Sequence, residues 1–300
     1  MKIKAWLSAV RLRTLPLSVS GILVGTGLAG MYGYSDVMLF IWALLATLGL
    51  QIISNLANDY GDGVKGTDNN ERIGPERALQ SGALSAKELK NGIVIAVLLT
   101  VLIIGFLLWK AFENEPLYYL FFTFLGVLSV WAAIRYTVGD AAYGYKGLGD
   151  IFVFCFFGLL SVLGTMFLFT KFIKPDALLP AFSVGFLSTA VLNLNNMRDY
   201  LSDAKAGKNT LVVKLGLPKA KRYHYFLLLG AFFSMTFFLY LHATHWQQLL
   251  CILAFIPVFI HLAKVLRTKQ PGEFDPELKK VALSTFFMAF FFYLGFNYFL

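Results

Sequence analysis

An all-α, polytopic integral membrane protein is the fold this sequence predicts, and three observations predict it. The chain is 58% hydrophobic and only 14% charged, with a mean hydropathy of +0.67, whereas soluble domains carry about 25% charged residues. Uncharged apolar runs recur nine times, at 15–35, 37–58, 91–109, 116–134, 151–170, 177–197, 223–244, 246–263 and 281–300. Each is close to the roughly 20 residues that span a bilayer core as a helix. If all nine are spans, every one of the 26 Lys and Arg except Lys110, Lys171 and Lys174 falls on one side. That asymmetry sets the N-terminus in the cytoplasm and the C-terminus outside. The expectation is a single integral-membrane domain over residues 1–300, lipid-embedded in a plasma (bacterial inner) membrane.

The net charge of +9 then belongs to a cytoplasmic face beside anionic headgroups. No basic stretch is interleaved with aromatics as a strand-binding surface would be, so no nucleic-acid partner is expected. The opening stub carries Lys2, Lys4, Arg11 and Arg13 ahead of the first apolar run. That run is long and Gly-rich, and eight more follow it, which favours a retained span over a cleaved leader. Within it Gly21, Gly25 and Gly30 offer small residues for close helix packing. Cys155 and Cys251 lie in apolar runs without paired spacing, so neither a disulfide nor zinc is implied. His242, His245 and His261 fall near run ends, where an imidazole reaches water, and are expected at the interface.

Residues 55–82, NLANDYGDGVKGTDNNERIGPERALQSG, set a dense polar sequence between two apolar runs. Asn55, Asn58, Asp59, Asp62 and Asp68 supply hard oxygen ligands of the kind Mg²⁺ takes. Lys65, Arg72 and Arg77 supply donors suited to phosphate oxygens. Helical spacing puts Asn55, Asp59 and Asp62 on one face as the second span leaves the membrane. Ser85 and Glu88 then read as a capping box for the third span.

Between the fourth and fifth spans runs RYTVGDAAYGYKGLGD, with Arg135, Tyr143, Tyr145, Lys146 and Asp150. Its glycines read either as plain turn formers or as a tight loop holding an anionic or aromatic ligand. The sixth span ends in LNLNNMRDYLSDAKAGKNT, where Asn195 and Asp199 repeat the N-x-x-x-D-Y pattern of Asn55, Asp59 and Tyr60 about 140 residues earlier. Asp199 and Asp203 are again one helical turn apart. Two related four-helix halves plus one extra helix would bring these copies face to face.

Carboxylates gathered at a membrane edge are costly to dehydrate unless something cationic sits among them. Mg²⁺ meets that need, and two ions could clamp a diphosphate between the Asp clusters. Lys65, Arg72, Arg77, Lys205 and Lys208 would add charge-assisted bonds to its remaining oxygens. A diphosphate at a membrane surface points to a polyprenyl diphosphate whose chain enters the bundle. Ionising its allylic C–O bond leaves a carbocation that Tyr143, Tyr145 or some of the 30 Phe can stabilise.

These residues resemble the UbiA superfamily of intramembrane aromatic prenyltransferases over essentially the whole chain. The family motif N-D-x-x-D-x-x-x-D fits Asn58, Asp59 and Asp62, but its last position is Gly66, with Asp68 two residues on. NDYGDGVKGTD followed by RIGP, RDYLSDAKAGKNTL and YGYKGLGD look like the branch that prenylates 1,4-dihydroxy-2-naphthoate on the way to menaquinone. The resemblance implies nine transmembrane helices, Mg²⁺ on Asp59, Asp62, Asp68, Asp199 and Asp203, and diphosphate on Lys65, Arg72 and Arg77. It also implies decarboxylating prenylation to demethylmenaquinone, with Lys146 and Arg135 expected to recognise the aromatic acid. Competing readings are the same chemistry on another acceptor such as 4-hydroxybenzoate, and a secondary transporter, although transporter sites lie near the bilayer midplane.

Overall fold

The computed structural model describes residues 2–68 and 73–299, which form no β-strand. In chain order the helices are α1 (Lys2–Val10), α2 (Leu15–Met31), α3 (Val37–Val64), α4 (Ala86–Ala111), α5 (Pro116–Arg135), α6 (Gly149–Val153), α7 (Ser161–Thr170), α8 (Leu178–Lys205), α9 (Leu211–Leu215), α10 (Leu217–His242), α11 (Phe255–Arg267) and α12 (Asp275–Tyr298). Eight spans among the described residues are long and apolar enough to cross a membrane. The pair α1–α2, bent by 45°, makes a ninth if counted as one.

Local chemistry explains where the spans start. The Asp36 carboxylate accepts from the backbone N–H groups of Met38 and Leu39, at 2.8 and 3.0 Å, and so caps α3. Ser85 and Glu88 form the expected capping box on α4. Pro at the first turn opens α5, α10 and α12, where the missing N–H costs nothing. Two apolar runs read as plain α-helical spans are wound differently. Phe154–Leu160 is a π-helix joining α6 to α7, and Trp246–Ala254 is a 3₁₀-helix leading into α11. Hydropathy registers only that the backbone bonds are satisfied within the segment, which all three windings achieve.

Packing follows a repeated scheme. α3 packs along α4, and α8 packs along α10, so the motif-bearing second helix of each half leans on the third. α12 closes the bundle against α2, α8 and the 246–254 helix. The α2 glycines are packing sites, as expected: a Cβ on Gly25 would lie 2.4 Å from the Val162 carbonyl, and one on Gly30 would lie 2.7 Å from that of Phe296. α8 is among the most enclosed spans and α5 the least.

His261 departs from expectation. It is fully buried, with Nδ1 2.8 Å from a Glu277 carboxylate oxygen and Nε2 2.8 Å from His224 Nε2. A carboxylate only accepts, so His261 Nδ1 donates and His261 Nε2 accepts from His224. The other Glu277 oxygen accepts from Lys264 and Lys280 at 2.9 and 2.8 Å, so α10, α11 and α12 are joined by one buried chain. His242 remains partly exposed, with Nε2 2.7 Å from the Asp176 carboxylate.

Candidate active site

α3 does not stop where its apolar run ends but continues through the first acidic motif to Val64. Asn55, Asn58 and Asp62 therefore point from one helix into a central cavity of about 630 Å³. Asn55 donates to the Val10 carbonyl at 2.8 Å and to Thr14 Oγ1 at 3.2 Å, pinning the α1–α2 corner. Asn58 Oδ1 accepts from Thr137 at 3.2 Å. Asp59 lies behind the cavity wall, where Oδ2 accepts from the Ala78 N–H at 3.2 Å and Oδ1 is buried without a hydrogen-bond partner among the described residues.

Asp62 is the meeting point. Tyr145 donates its phenolic proton to Oδ1 at 2.7 Å, and Lys208 Nζ donates to Oδ2 at 3.3 Å. The same ammonium is 3.9 Å from Asp203 Oδ1. One cation thus links the two motifs. Burial alone would push the Lys208 pKa down, but Asp62 and Asp203 outweigh that and hold it above its usual range. Tyr145 has spent its only proton on Asp62, so Thr67, 2.6 Å away, donates to it. Burial and the Asp62 charge push this phenol upward. Asp68 lies 3.8 Å from Arg77, and Arg77 lines the cavity.

The second motif is gathered by Arg198, which is 1% exposed. Its Nε and Nη2 grip the two Asp199 oxygens at 2.8 and 2.6 Å. Nη2 also reaches Asn195 at 2.9 Å, and Nη1 reaches Asp275 of α12 at 2.5 Å. Asn195, Arg198 and Asp275 line the cavity together with Arg11 and Lys279. Arg11 holds a left-handed backbone (φ 55°) at the α1–α2 corner, a strained conformation for a residue with a Cβ.

Of the residues in 135–150, Tyr136 lines the cavity and so does Tyr143. Its hydroxyl donates to the Ala132 carbonyl at 2.8 Å, and its ring stacks on Phe152 with centroids 3.9 Å apart. Lys65 is turned to the loop instead. Its ammonium donates to the carbonyls of Thr137 and Gly139 at 2.8 and 2.9 Å and lies 4.0 Å from the Tyr145 ring centroid, and burial lowers its pKa. The Arg135 guanidinium fills the space beside Gly139 (φ 84°) that a side chain there would need. Lys146 and Lys205 are exposed, and the Lys146 carbonyl accepts from Lys214 at 2.6 Å. Arg72 lies outside the described residues.

Arg11, Arg198, Asp275 and Lys279 are cavity residues that sequence reasoning missed. Arg198 had a signal, its place beside Asp199 in NNMRDY; Asp275 and Lys279 had none.

No three carboxylates or imidazoles among the described residues converge as a ready-made cage. Mg²⁺ does not require one, because it binds through one or two carboxylates plus substrate phosphates and water. Asp62 and Asp203 already share a cation, and Asp59 Oδ1 is a buried oxygen without a partner among the described residues. The donor set fits the ion.

The geometry defines a membrane-embedded cavity, apolar in its body and charged at one mouth, of the kind found in intramembrane transferases. Residues 18–295 match the UbiA prenyltransferase family, and the chain belongs to that family. It is similar to the 1,4-dihydroxy-2-naphthoate octaprenyltransferase of Haemophilus influenzae, at 45% identity over 98% of this chain and 96% of that one. The Escherichia coli protein of the same name is 42% identical over 97% and 94%. Two solved structures share the fold. One is of digeranylgeranylglyceryl phosphate synthase (TM-score 0.62, 18% identity, 99% of each chain). The other is of a UbiA homolog from Archaeoglobus fulgidus bound to DMAPP and Mg²⁺ (TM-score 0.62, 16% identity, 99% of this chain and 100% of that one).

Proposed function

We propose that this chain transfers a polyprenyl group from its diphosphate to the carboxylate-bearing ring carbon of 1,4-dihydroxy-2-naphthoate. The carbon–carbon bond forms as the C–O bond to diphosphate breaks. CO₂ then leaves, and the product is the prenylated naphthalenediol, the reduced form of demethylmenaquinone. The observation that carries this reading is the Lys208 ammonium shared by Asp62 and Asp203 at the mouth of an apolar cavity. It draws both halves' acidic motifs to one point beside room for a lipid tail.

Asp62 and Asp203, with Asp59, Asp68 and Asp199, would hold Mg²⁺, which when bound supplies positive charge to the departing diphosphate. Arg77 and Lys208 donate to its oxygens from the cavity wall. Asn55, Asn58 and Asn195 keep that end polar, and the apolar body below takes the prenyl chain. Tyr143, Phe152 and Phe156 line the cavity as near-parallel rings. Their faces exclude water from the allylic carbon and attract its developing charge. For the acceptor's carboxylate, Arg198 and Lys279 line the cavity, whereas Lys146 and Arg135 stand outside it. The positive-inside pattern supports an inner-membrane enzyme with its charged mouth on the cytoplasmic side.

The test is an acceptor assay. Purified protein, Mg²⁺ and octaprenyl diphosphate are mixed separately with 1,4-dihydroxy-2-naphthoate and 4-hydroxybenzoate. The expected result is consumption of the naphthoate with matched release of CO₂ and diphosphate. Consumption of 4-hydroxybenzoate instead would move the chain to another branch of the family. Absence of diphosphate release with either would remove the transfer reading.

A further inference from the structure

The cavity has a second charged wall, built by α8 and α12. Asn195, Arg198, Asp275 and Lys279 stand on it, whereas Asp62 and Arg77 come from α3 and the segment after it. Three groups on this wall keep binding capacity in hand. Arg198 spends its Nε hydrogen on Asp199, its two Nη2 hydrogens on Asp199 and Asn195, and one Nη1 hydrogen on Asp275. A guanidinium carries five N–H groups, so one on Nη1 is left over. Asp275 gives Oδ1 to that contact, while its Oδ2 accepts nothing among the described residues and the side chain is 38% exposed.

Lys279 is the third. It follows Asp275 by one helical turn, the spacing at which a carboxylate and an ammonium ordinarily pair. Yet no ion pair or hydrogen bond holds it among the described residues. Its neighbour Lys280 pairs with Glu277, as does Lys264. An unused ammonium and a half-used carboxylate therefore line one cavity a turn apart, with a spare guanidinium N–H beside the carboxylate. Leu278 and Ala282 of α12 and Val191 of α8 line the same cavity and offer apolar surface to a flat ring.

We propose that this wall, on the prenyl-transfer reading above, selects as acceptor an aromatic acid whose hydroxyl sits on the carbon next to the carboxylate-bearing one. Lys279 and the remaining Arg198 N–H donate to the carboxylate as charge-assisted bonds. Asp275 Oδ2 only accepts, so it takes the neighbouring hydroxyl. That bond turns the hydroxyl proton away from the acid's own carboxylate and leaves the phenolic lone pair to enrich the adjacent ring carbon, where the prenyl group is to attach. Because Arg198 Nη1 bonds Asp275 directly, the two contacts lie close together, as adjacent substituents do and para substituents do not. Arg198 grips Asp199 with its other edge and so fixes this seat beside the second acidic motif.

The test compares 1-hydroxy-2-naphthoate, which has the adjacent pair, with 4-hydroxy-2-naphthoate, which has the same groups set apart. Affinities are measured by calorimetry on the solubilised full chain, with Mg²⁺ and inorganic diphosphate present to fill the opposite wall. The wild type should bind the first about tenfold or more tighter, the scale of one hydrogen bond to a charged group. Equal affinities, or no binding of either, would overturn the proposal without recourse to any variant. Lys279→Met should weaken both acids by about tenfold or more. Asp275→Asn keeps an oxygen for Arg198 but sets an NH₂ where the hydroxyl's acceptor stood, so it should weaken the first acid alone, to the level of the second. Melting temperatures confirm that each variant folds. Unchanged affinities in Lys279→Met would overturn the proposal, and equal losses of both acids in Asp275→Asn would leave Asp275 only the role of holding Arg198 and overturn it too. In turnover, the KM for 1,4-dihydroxy-2-naphthoate should rise in both variants while that for octaprenyl diphosphate holds; a rise confined to the donor would give Lys279 to the diphosphate instead and overturn the seat. A wild type that releases no diphosphate would remove the transfer reading, and the calorimetric comparison would still decide whether the seat exists.

Discussion

Lys208 exchanges its hydration for two carboxylates from opposite halves of the bundle, and the consequences of removing it can be worked out. In Lys208→Met, Asp62 and Asp203 face each other with their shared cation gone. Breaking a buried pair from one side costs about 3–5 kcal/mol. The melting temperature should fall in EDTA and recover in part with Mg²⁺; an equal loss in both conditions would show that these carboxylates do not hold the ion. Asp59→Asn should abolish turnover, read as diphosphate release, beside a nearly unchanged melting temperature; Asp199→Asn should abolish it too but with a lowered melting temperature, because the amide no longer offers the buried Arg198 guanidinium two carboxylate oxygens. Near-normal release at ordinary Mg²⁺ would take that residue out of the metal site. Arg77→Ala should raise the KM for prenyl diphosphate several-fold, and an unchanged KM would leave Arg77 the role of holding Asp68. These residues could be named from the sequence because oxygen ligands and phosphate donors cluster within single turns. The ion pair from Arg198 to Asp275 could not, since its partners stand 77 residues apart and only packing joins them.

Helices expose a different limit of sequence reading. Hydropathy located the spans, because an apolar run of bilayer length has few other fates, but it carried no information on winding or on which glycines bear contacts. Gly158, in the π segment, crosses Gly185 of α8 so closely that a Cβ would lie 2.6 Å from the Gly185 Cα and 2.8 Å from the Ala181 carbonyl. Backbone cannot yield as a side chain can, so Gly158→Ala should destabilise by about 1–3 kcal/mol. A Cβ on Gly105 meets nothing, so Gly105→Ala should be neutral or slightly stabilising. Thermal melts of the pair decide the matter, and equal melting temperatures would refute the close crossing. The Glu277–His261–His224 chain makes a similar point for α10, α11 and α12. Replacing Glu277 with Leu strands the His261 N–H, at about 1–3 kcal/mol, with no direct loss of a cavity group. The expected result is a lower melting temperature beside a nearly unchanged KM, and a raised KM would tie the chain to the site instead.

At the scale of the whole molecule, one topological choice places the charged mouth. The acidic motifs, Lys205 and the α1 stub share one end of the bundle, and α12 ends at the other only if the number of crossings between them is odd. With α1–α2 taken as a single bent span the crossings among the described residues number nine, and in the orientation proposed from the bias of Lys and Arg the mouth lies inside. Moving that many cations to the outer face would oppose both the insertion rule and the anionic inner leaflet, so the opposite orientation is disfavoured by the loops that carry all but Lys110, Lys171 and Lys174. The direct check uses single cysteines in a background where Cys155 and Cys251 are replaced. Lys4→Cys and Lys205→Cys are exposed near the mouth, and Tyr298→Cys is exposed at the far end of α12. A membrane-impermeant maleimide should label the first two only in inside-out vesicles and the third only in right-side-out vesicles. Labelling of Lys205→Cys and Tyr298→Cys from the same side would mean an even number of crossings after α8, and the two-half arrangement with its extra helix would have to be redrawn.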